Sequence, residues 1–118
     1  MFDHALKKDG AEVYVHVVHG DITSDKNTNV GNVLRKIADM VKTYATRNGL
    51  RQGDFIKVIH LMDTDGAFVD SSRVFEDDKV DRARYFDNEI RCHNFEAIVH
   101  RNEQKSAVMQ KLCGTYKI

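Results

Sequence analysis

The sequence predicts a single small α/β domain over residues 1–118, with a mainly parallel central sheet. A βαβ unit comes first, followed by a hairpin and two short C-terminal helices. Two β-branched, apolar segments at residues 12–19 and 54–62 are typical of strands. Between them, residues 30–48 carry apolar side chains at helical spacing. A strand, a helix and a second strand in this order favour a right-handed crossover between parallel strands.

The helix between the two predicted strands has both a start and a stop signal. Thr28 or Asn29 is predicted to cap its first turn. Asn48-Gly49 is suited to ending it, because glycine adopts a left-handed backbone at little cost. Its apolar residues recur every three or four positions, as an amphipathic helix requires. They are Val30, Val33, Leu34, Ile37, Val41 and Tyr44.

The second predicted strand, residues 54–62, is almost continuously apolar, as a strand covered on both faces should be. It runs into the acidic turn at residues 63–66, which reads DTDG. The loops that follow parallel strands lie at the same sheet edge, where ligands bind in open α/β sheets. We therefore expect Asp21, which follows the first strand, to lie beside this turn.

The second half of the chain predicts a hairpin over residues 82–92 that turns at residues 87–88. Two short helices are predicted to follow, the second over residues 103–112. Their boundary residues are Asn94 and Asn102 as N-caps and Gly114 as the stop.

Composition excludes several classes of protein. The chain has 18 Lys and Arg against 18 Asp and Glu, so it lacks the global positive charge of a protein that coats nucleic acid. No run approaches the roughly 18 apolar residues of a membrane span, which predicts no membrane partner and a cytoplasmic location.

Cys92 and Cys113 form no CxxC pair, and His93 and His100 lack zinc-finger spacing. We expect neither a disulfide nor a zinc site.

Carboxylates at the predicted sheet edge are the strongest chemical signal. Asp63 and Asp65 are spaced to converge on one Mg²⁺, because a hard cation prefers oxygen ligands and offsets their repulsion. Asp21 would be a third metal ligand, and His19 a base or ligand at the same edge. The alternatives are purely structural: a capped turn at residues 63–66, an Asx turn at Asp21 and a hydrogen-bonded strand end at His19.

Basic residues in the second half offer a face for a phosphate backbone. They are interleaved with acidic residues, which favours an ordinary solvated surface instead. The basic residues are Arg82, Arg84, Arg91, Arg101, Lys105 and Lys111.

The sequence contains, in order, a predicted strand, Gly20, a predicted helix, a second predicted strand and Asp63-x-Asp65. This order resembles the Toprim domain of topoisomerases, primases and overcoming-lysogenization-type nucleases, over roughly the first two thirds of the chain. The resemblance implies Mg²⁺-dependent phosphoryl transfer on nucleic acid, with Asp63 and Asp65 as metal ligands and Asp21 as a third. The Toprim pattern ends its first strand in Glu, and here His19 occupies that position. A catalytic set of Asp63, Asp65 and His19 is therefore expected to show weak activity or none.

Two alternatives belong to other functional classes. The DTDG string also resembles the first motif of haloacid-dehalogenase-like phosphatases, which implies Asp63 as nucleophile and Asp65 as general acid and base. That family needs later α/β units carrying a Lys, for which the chain after Val69 is too short. The third reading is a non-catalytic interaction module of a bacterial or phage protein family, using the hairpin and the terminal helices. The sequence predicts neither the substrate nor the oligomeric state.

Overall fold

The computed structural model describes residues 7–8, 11–12 and 21–115. A short ladder pairs β1, Lys7–Lys8, antiparallel with β2, Ala11–Glu12. Residues 13–19 of the first predicted strand, and His19 with them, lie outside the described residues. The remaining described chain forms two α-helices and a three-stranded mixed sheet, so the protein is a small α/β domain.

Helix α1 spans Val33–Arg47 and confirms the helix predicted from apolar spacing. It begins three residues later than predicted, with Asn32 as the N-cap residue. Asn29 shapes the turn before it, because its side-chain oxygen accepts from the backbone N–H groups of Gly31 at 2.9 Å and Asn32 at 3.1 Å. At the other end Gly49 has φ +64°, the left-handed conformation predicted for the stop.

The second predicted strand, residues 54–62, is not seen in the structure. Gln52–Asp54 forms a 3₁₀ turn, and residues 55–64 have no regular secondary structure. A strand needs a neighbour for its backbone N–H and C=O groups, and no described segment pairs with this one. Its apolar side chains are consequently exposed, Ile56 to 86% and Leu61 to 88%.

The sheet is mixed rather than mainly parallel. Its strands are β3, Val74–Glu76, β4, Arg84–Tyr85, and β5, Ile90–Cys92, in the order β3-β5-β4. β3 and β5 are parallel, whereas β4 and β5 are antiparallel. The antiparallel pairing of β4 with β5 confirms the hairpin predicted at residues 82–92.

Helix α2 spans Phe95–Thr115 without a break, so the prediction of two short helices is wrong. Asn94 caps its first turn as predicted, accepting from the N–H of Ala97 at 2.9 Å. Asn102 caps nothing: it lies inside the helix and is 5% exposed. Gly114 does not stop the helix, which includes it. A single polar residue or glycine costs too little helix propensity to interrupt a helix by itself. Around Asn102 the helix is also packed, since Lys105, Val108 and Met109 are buried.

Helix α2 contributes to both parts of the core. The first cluster joins α1 and α2 through Val33, Val108 and Leu112, which are 0–3% exposed. The second joins α2 to the sheet around Val74, Ile90 and Cys92. Neither helix in the described part of the chain has the length and apolar composition that crossing a membrane requires.

Candidate functional site

A buried lysine lies at the centre of the candidate site. Lys105, on α2, has a side chain only 1% exposed. Its ammonium donates to Asp21 Oδ2 at 2.9 Å, to Ser24 Oγ at 2.8 Å and to Asp65 Oδ2 at 2.8 Å. An ammonium group has three N–H donors, so these three acceptors use all of them. The buried charge is paired and fully hydrogen-bonded, as burial requires.

Asp21 reaches the lysine from a tightly bonded loop. Its carboxylate accepts from the backbone N–H of Thr23 at 2.9 Å and from the Thr23 hydroxyl at 2.7 Å. The Ser24 hydroxyl donates to the same carboxylate at 3.2 Å while accepting from Lys105. This is the Asx-turn arrangement considered for Asp21 from the sequence, and it fixes the carboxylate in the orientation that Lys105 meets.

The acidic turn supplies the second carboxylate through Asp65 rather than Asp63. The side chain of Asp63 accepts from the backbone N–H of Asp65 at 3.1 Å, which is a local turn contact. Asp65 itself has φ +44°, a left-handed conformation that Asp tolerates better than most residues. Gly66 follows against the sheet, where an added Cβ would overlap Ile90 Cδ1. The turn therefore packs onto β5 and directs Asp65 toward α2.

Arg101 lies one helical turn before Lys105 and shares its acidic partner. Its guanidinium donates to Asp65 Oδ2 at 3.1 Å and also to the hydroxyl of Tyr85 on β4. Residues four apart lie on one helix face, which places both cations beside the same carboxylate. Arg101 is 39% exposed, so it forms the solvent-facing rim of the buried contact.

The pKa values of the three charged groups reflect this arrangement. Burial opposes ionisation of Asp21, but hydrogen bonds from Lys105 and Thr23 outweigh it and lower its pKa from 3.8 to about 2. The hydrogen bond from Lys105 also lowers the pKa of Asp65. Burial works against the charged form of Lys105, yet its bonds to Asp65 and Asp21 raise its pKa. All three groups are charged at neutral pH.

The structure brings together some of the predicted site residues and not others. Asp21 and Asp65, 44 residues apart in the chain, meet at one point on α2, although the sheet edge at which they were expected to meet is not among the described elements. Asp63 makes no contact with that point and holds the turn instead. His19 lies outside the described residues.

Lys105 is the residue that the sequence analysis missed, since it was assigned to a solvated basic surface. Its position relative to the apolar residues of α2 was the available signal. It precedes Val108 by three residues and Leu112 by seven, and both are buried. A lysine on the apolar face of an amphipathic helix needs a buried anionic partner.

The Mg²⁺ implied by the Toprim resemblance does not fit these residues as they stand. The point that Asp21 and Asp65 share is held by the ammonium of Lys105, whose positive charge would repel a metal ion there. Charges at this point already balance, because two carboxylates face Lys105 and Arg101. Among the described residues, no group of three or more His, Cys, Asp or Glu side chains is arranged to hold a metal.

A second surface feature lies on the sheet, on the side turned away from α2. Buried Val74 and Ile90 pack with α2, so the residues that alternate with them point the other way. There, Phe75 pairs in register with Arg91, and Arg91 pairs in register with Arg84. We call Phe75, Arg91 and Arg84 the outer row.

The charges of the outer row are unequally neutralised. Arg91 contacts Glu89 at 2.8 Å and Asp77 at 3.7 Å. Arg84 is exposed and forms no ion pair with any described residue. Phe75 is 44% exposed. Arg91 is therefore paired with two carboxylates, and it is flanked by an exposed aromatic ring and by a guanidinium that has no acidic partner among the described residues.

No family model, curated protein or solved structure matches this chain.

Proposed function

We propose that this chain is a Toprim-like domain that binds nucleic acid and has lost Mg²⁺-dependent phosphoryl transfer. The observation that carries the proposal is the meeting of Asp21 and Asp65 at one cation, with Oδ2 atoms 2.9 and 2.8 Å from its nitrogen. Two loops 44 residues apart in the chain supply these carboxylates, and a Toprim-like arrangement requires that such loops meet. The cation is the ammonium of Lys105 rather than a metal ion, and this supports the loss of catalysis.

The chemistry of Lys105 explains why we expect no cleavage. Metal-assisted phosphoryl transfer needs a divalent ion that binds the phosphoryl oxygens and activates water. Lys105 offers no free N–H donor to a phosphate, because all three are used within the protein. Its raised pKa keeps it protonated, so it has no lone pair with which to act as a base.

The outer row supports nucleic acid as the partner. Two arginines directly opposite one another on neighbouring strands repel each other, and the acidic partners of Arg91 leave Arg84 without a carboxylate among the described residues. We propose that Arg84 contacts a phosphate and that an unpaired base stacks on the exposed ring of Phe75. The combination favours single-stranded over double-stranded nucleic acid.

The phosphatase alternative receives less support from the contacts. It requires a lysine beside Asp63, the residue in the nucleophile position of the resembling motif. Lys105 contacts Asp65 instead, and Asp63 bonds to its own turn.

Fluorescence anisotropy with a labelled single-stranded oligonucleotide tests the binding proposal. Arg84→Gln is expected to weaken binding several-fold. It should also reduce the slope of log affinity against log salt concentration by about one. Phe75→Ala should weaken binding to the oligonucleotide more than binding to inorganic polyphosphate, which has no bases. Lys111→Gln removes the same charge from an exposed position on α2 and is the matched control. Equal affinities for all four proteins, or capture of a protein partner with no oligonucleotide binding, would contradict the proposal.

The proposed loss of cleavage activity is tested separately. Nicking of supercoiled DNA in the presence of Mn²⁺ should remain at the level of a buffer control. Robust nicking that Asp65→Asn abolishes would show that a metal displaces Lys105 and that the site is active.

The finer architecture of the sheet is also part of this proposal. Ile56, Ile59 and Leu61 form an exposed apolar segment, which in a monomer usually has a covering partner. We propose residues 13–19 as that partner, since they have the same length and β-branched composition. Pairing them in parallel with residues 55–61 would complete the βαβ unit. We also propose that the protein is cytoplasmic.

Leu61 tests this pairing. If the segment is covered, Leu61→Ala should cost about 2–5 kcal/mol of unfolding free energy in urea. A change within about 0.5 kcal/mol, as expected of a surface position, would rule the pairing out.

A further inference from the structure

We propose that a cleft beside α2 binds a small organic cation that carries a primary amide group. Asn102 holds the amide of this ligand, and Asp70 and Glu103 hold its positive charge. Neither Lys105 nor any residue of the outer row lines the cleft. The ligand and a nucleic acid would therefore use different surfaces of the protein.

The cleft opens between α2 and residues 67–74, which lead from the acidic turn into β3. Its volume is about 230 Å³. Clefts that hold drug-sized ligands measure about 300–1,000 Å³, so this one suits a molecule the size of a single amino acid. The lining residues of α2 recur every three or four positions and therefore share one helix face. They are Val99, Asn102, Glu103 and Ser106.

Apolar side chains line part of the cleft. Val74 belongs to the buried cluster between α2 and the sheet, and Val69 and Val99 pack against that cluster. An aliphatic chain that lies on these three valines leaves water, which favours binding. The wall therefore suits the carbon chain of a ligand whose two ends are polar.

The side chain of Asn102 is the strongest indication of a ligand. The residue is only 5% exposed, and its amide nitrogen has no hydrogen-bond partner within the described residues. A buried N–H group without a partner is costly, and most such groups in native proteins are satisfied. Because Asn102 lines the cleft, a molecule bound there supplies the missing partner. A primary amide offers both an acceptor and a donor, so it pairs with Asn102 whichever way the asparagine amide is turned.

Two carboxylates of the cleft lack cationic partners. Asp70 and Glu103 are exposed on its two sides, and neither forms an ion pair with any described residue. Asp70 is held in place because it caps the 3₁₀ turn Ser71–Arg73, accepting from the N–H of Ser72 at 2.9 Å. Two negative charges at one cleft attract a cation and disfavour an anion. The ligand is therefore positively charged.

Titration calorimetry of the full chain with argininamide tests the proposal. This molecule joins a primary amide to two cationic groups through a short aliphatic chain. Agmatine is the matched probe, because it has the same two cationic groups and lacks the amide. We expect saturable binding of argininamide at millimolar or lower concentration. Agmatine should bind about tenfold more weakly, and glutarate, a dianion, should not bind.

Three variants separate the two kinds of contact. Asn102→Ala should bind argininamide and agmatine with affinities within about twofold of each other, because the amide has lost its partner. Glu103→Gln should weaken the binding of both probes several-fold. Glu96→Gln is the matched control, since it removes an exposed glutamate of α2 that does not line the cleft. It should bind both probes like the unmodified protein.

The unmodified protein decides the matter if a variant folds poorly. The side-chain NH₂ signals of Asn102 in a ¹H–¹⁵N spectrum should shift as argininamide saturates the protein, and should shift less with agmatine. The proposal is overturned by a lack of saturable argininamide binding, by equal affinities of the unmodified protein for the two probes, or by a preference for argininamide that a folded Asn102→Ala retains.

Discussion

At the scale of single residues, Lys105 shows how a buried charge is accommodated. Moving an ammonium out of water is costly, and the cost is offset only when its partners are well placed and its remaining donors are satisfied. Both conditions hold, since two carboxylates and one hydroxyl take its three N–H groups. The pair Asp21 and Asp65 depends on the lysine in turn, because without it two negative charges would face each other.

Removing the lysine charge should therefore destabilise the protein strongly. Lys105→Met keeps much of the apolar stem but leaves the two carboxylates unpaired, and we expect a loss of about 3–5 kcal/mol in unfolding free energy. Urea denaturation measures it, with Lys111→Met as the exposed control, expected to change by less than about 0.5 kcal/mol. Equal effects of the two substitutions would show that the buried contact does not contribute to stability.

The lowered pKa of Asp21 predicts a specific acid sensitivity. Its pKa falls from 3.8 in the unfolded chain to about 2 in the fold, so the ionised form adds stability that is fully present above pH 3.8. That contribution, about 2 kcal/mol, is lost as the pH drops toward 2. Unfolding free energies between about pH 5 and pH 2 should fall less steeply in Asp21→Asn than in the unmodified protein or in the exposed Asp39→Asn. Parallel pH curves for all three would exclude this role of Asp21.

At the scale of elements, sequence reasoning succeeded where local signals and packing agree. The apolar spacing of α1 and the left-handed glycine after it were both predicted. So were the hairpin and the Asn94 cap of α2. It failed at Asn102, where a residue typical of a cap lies inside a continuous helix, because tertiary packing outweighs a weak local preference.

The two asparagines give a direct test of the single helix. Asn94→Ala removes the cap and should cost about 1 kcal/mol of unfolding free energy. Asn102→Ala should cost less or stabilise, since its amide nitrogen has no hydrogen-bond partner within the described residues and alanine is the best helix former. A larger loss at Asn102 than at Asn94, measured in urea, would support two helices instead of one.

At the scale of the whole molecule, the site depends on contacts between distant parts of the chain. The meeting of Asp21 and Asp65 was expected from the sequence, but the parallel strands on which that expectation rested are not among the described elements. The arrival of α2 between the two carboxylates was not predicted. Periodicity shows that a helix has a buried face and does not show which element it packs against. The cation between the carboxylates therefore had to be identified from the structure.

The central claim is that a buried, charged lysine is fixed between Asp21 and Asp65, and nitrogen-15 NMR of lysine side chains tests it most directly. An ammonium whose three protons are all hydrogen-bonded and shielded from water exchanges slowly. We predict one resolved ¹H–¹⁵N ammonium signal at neutral pH that disappears in Lys105→Met, weakens in Asp65→Asn and is unchanged by millimolar Mg²⁺. No such signal in the unmodified protein, or its loss on adding Mg²⁺, would contradict the account.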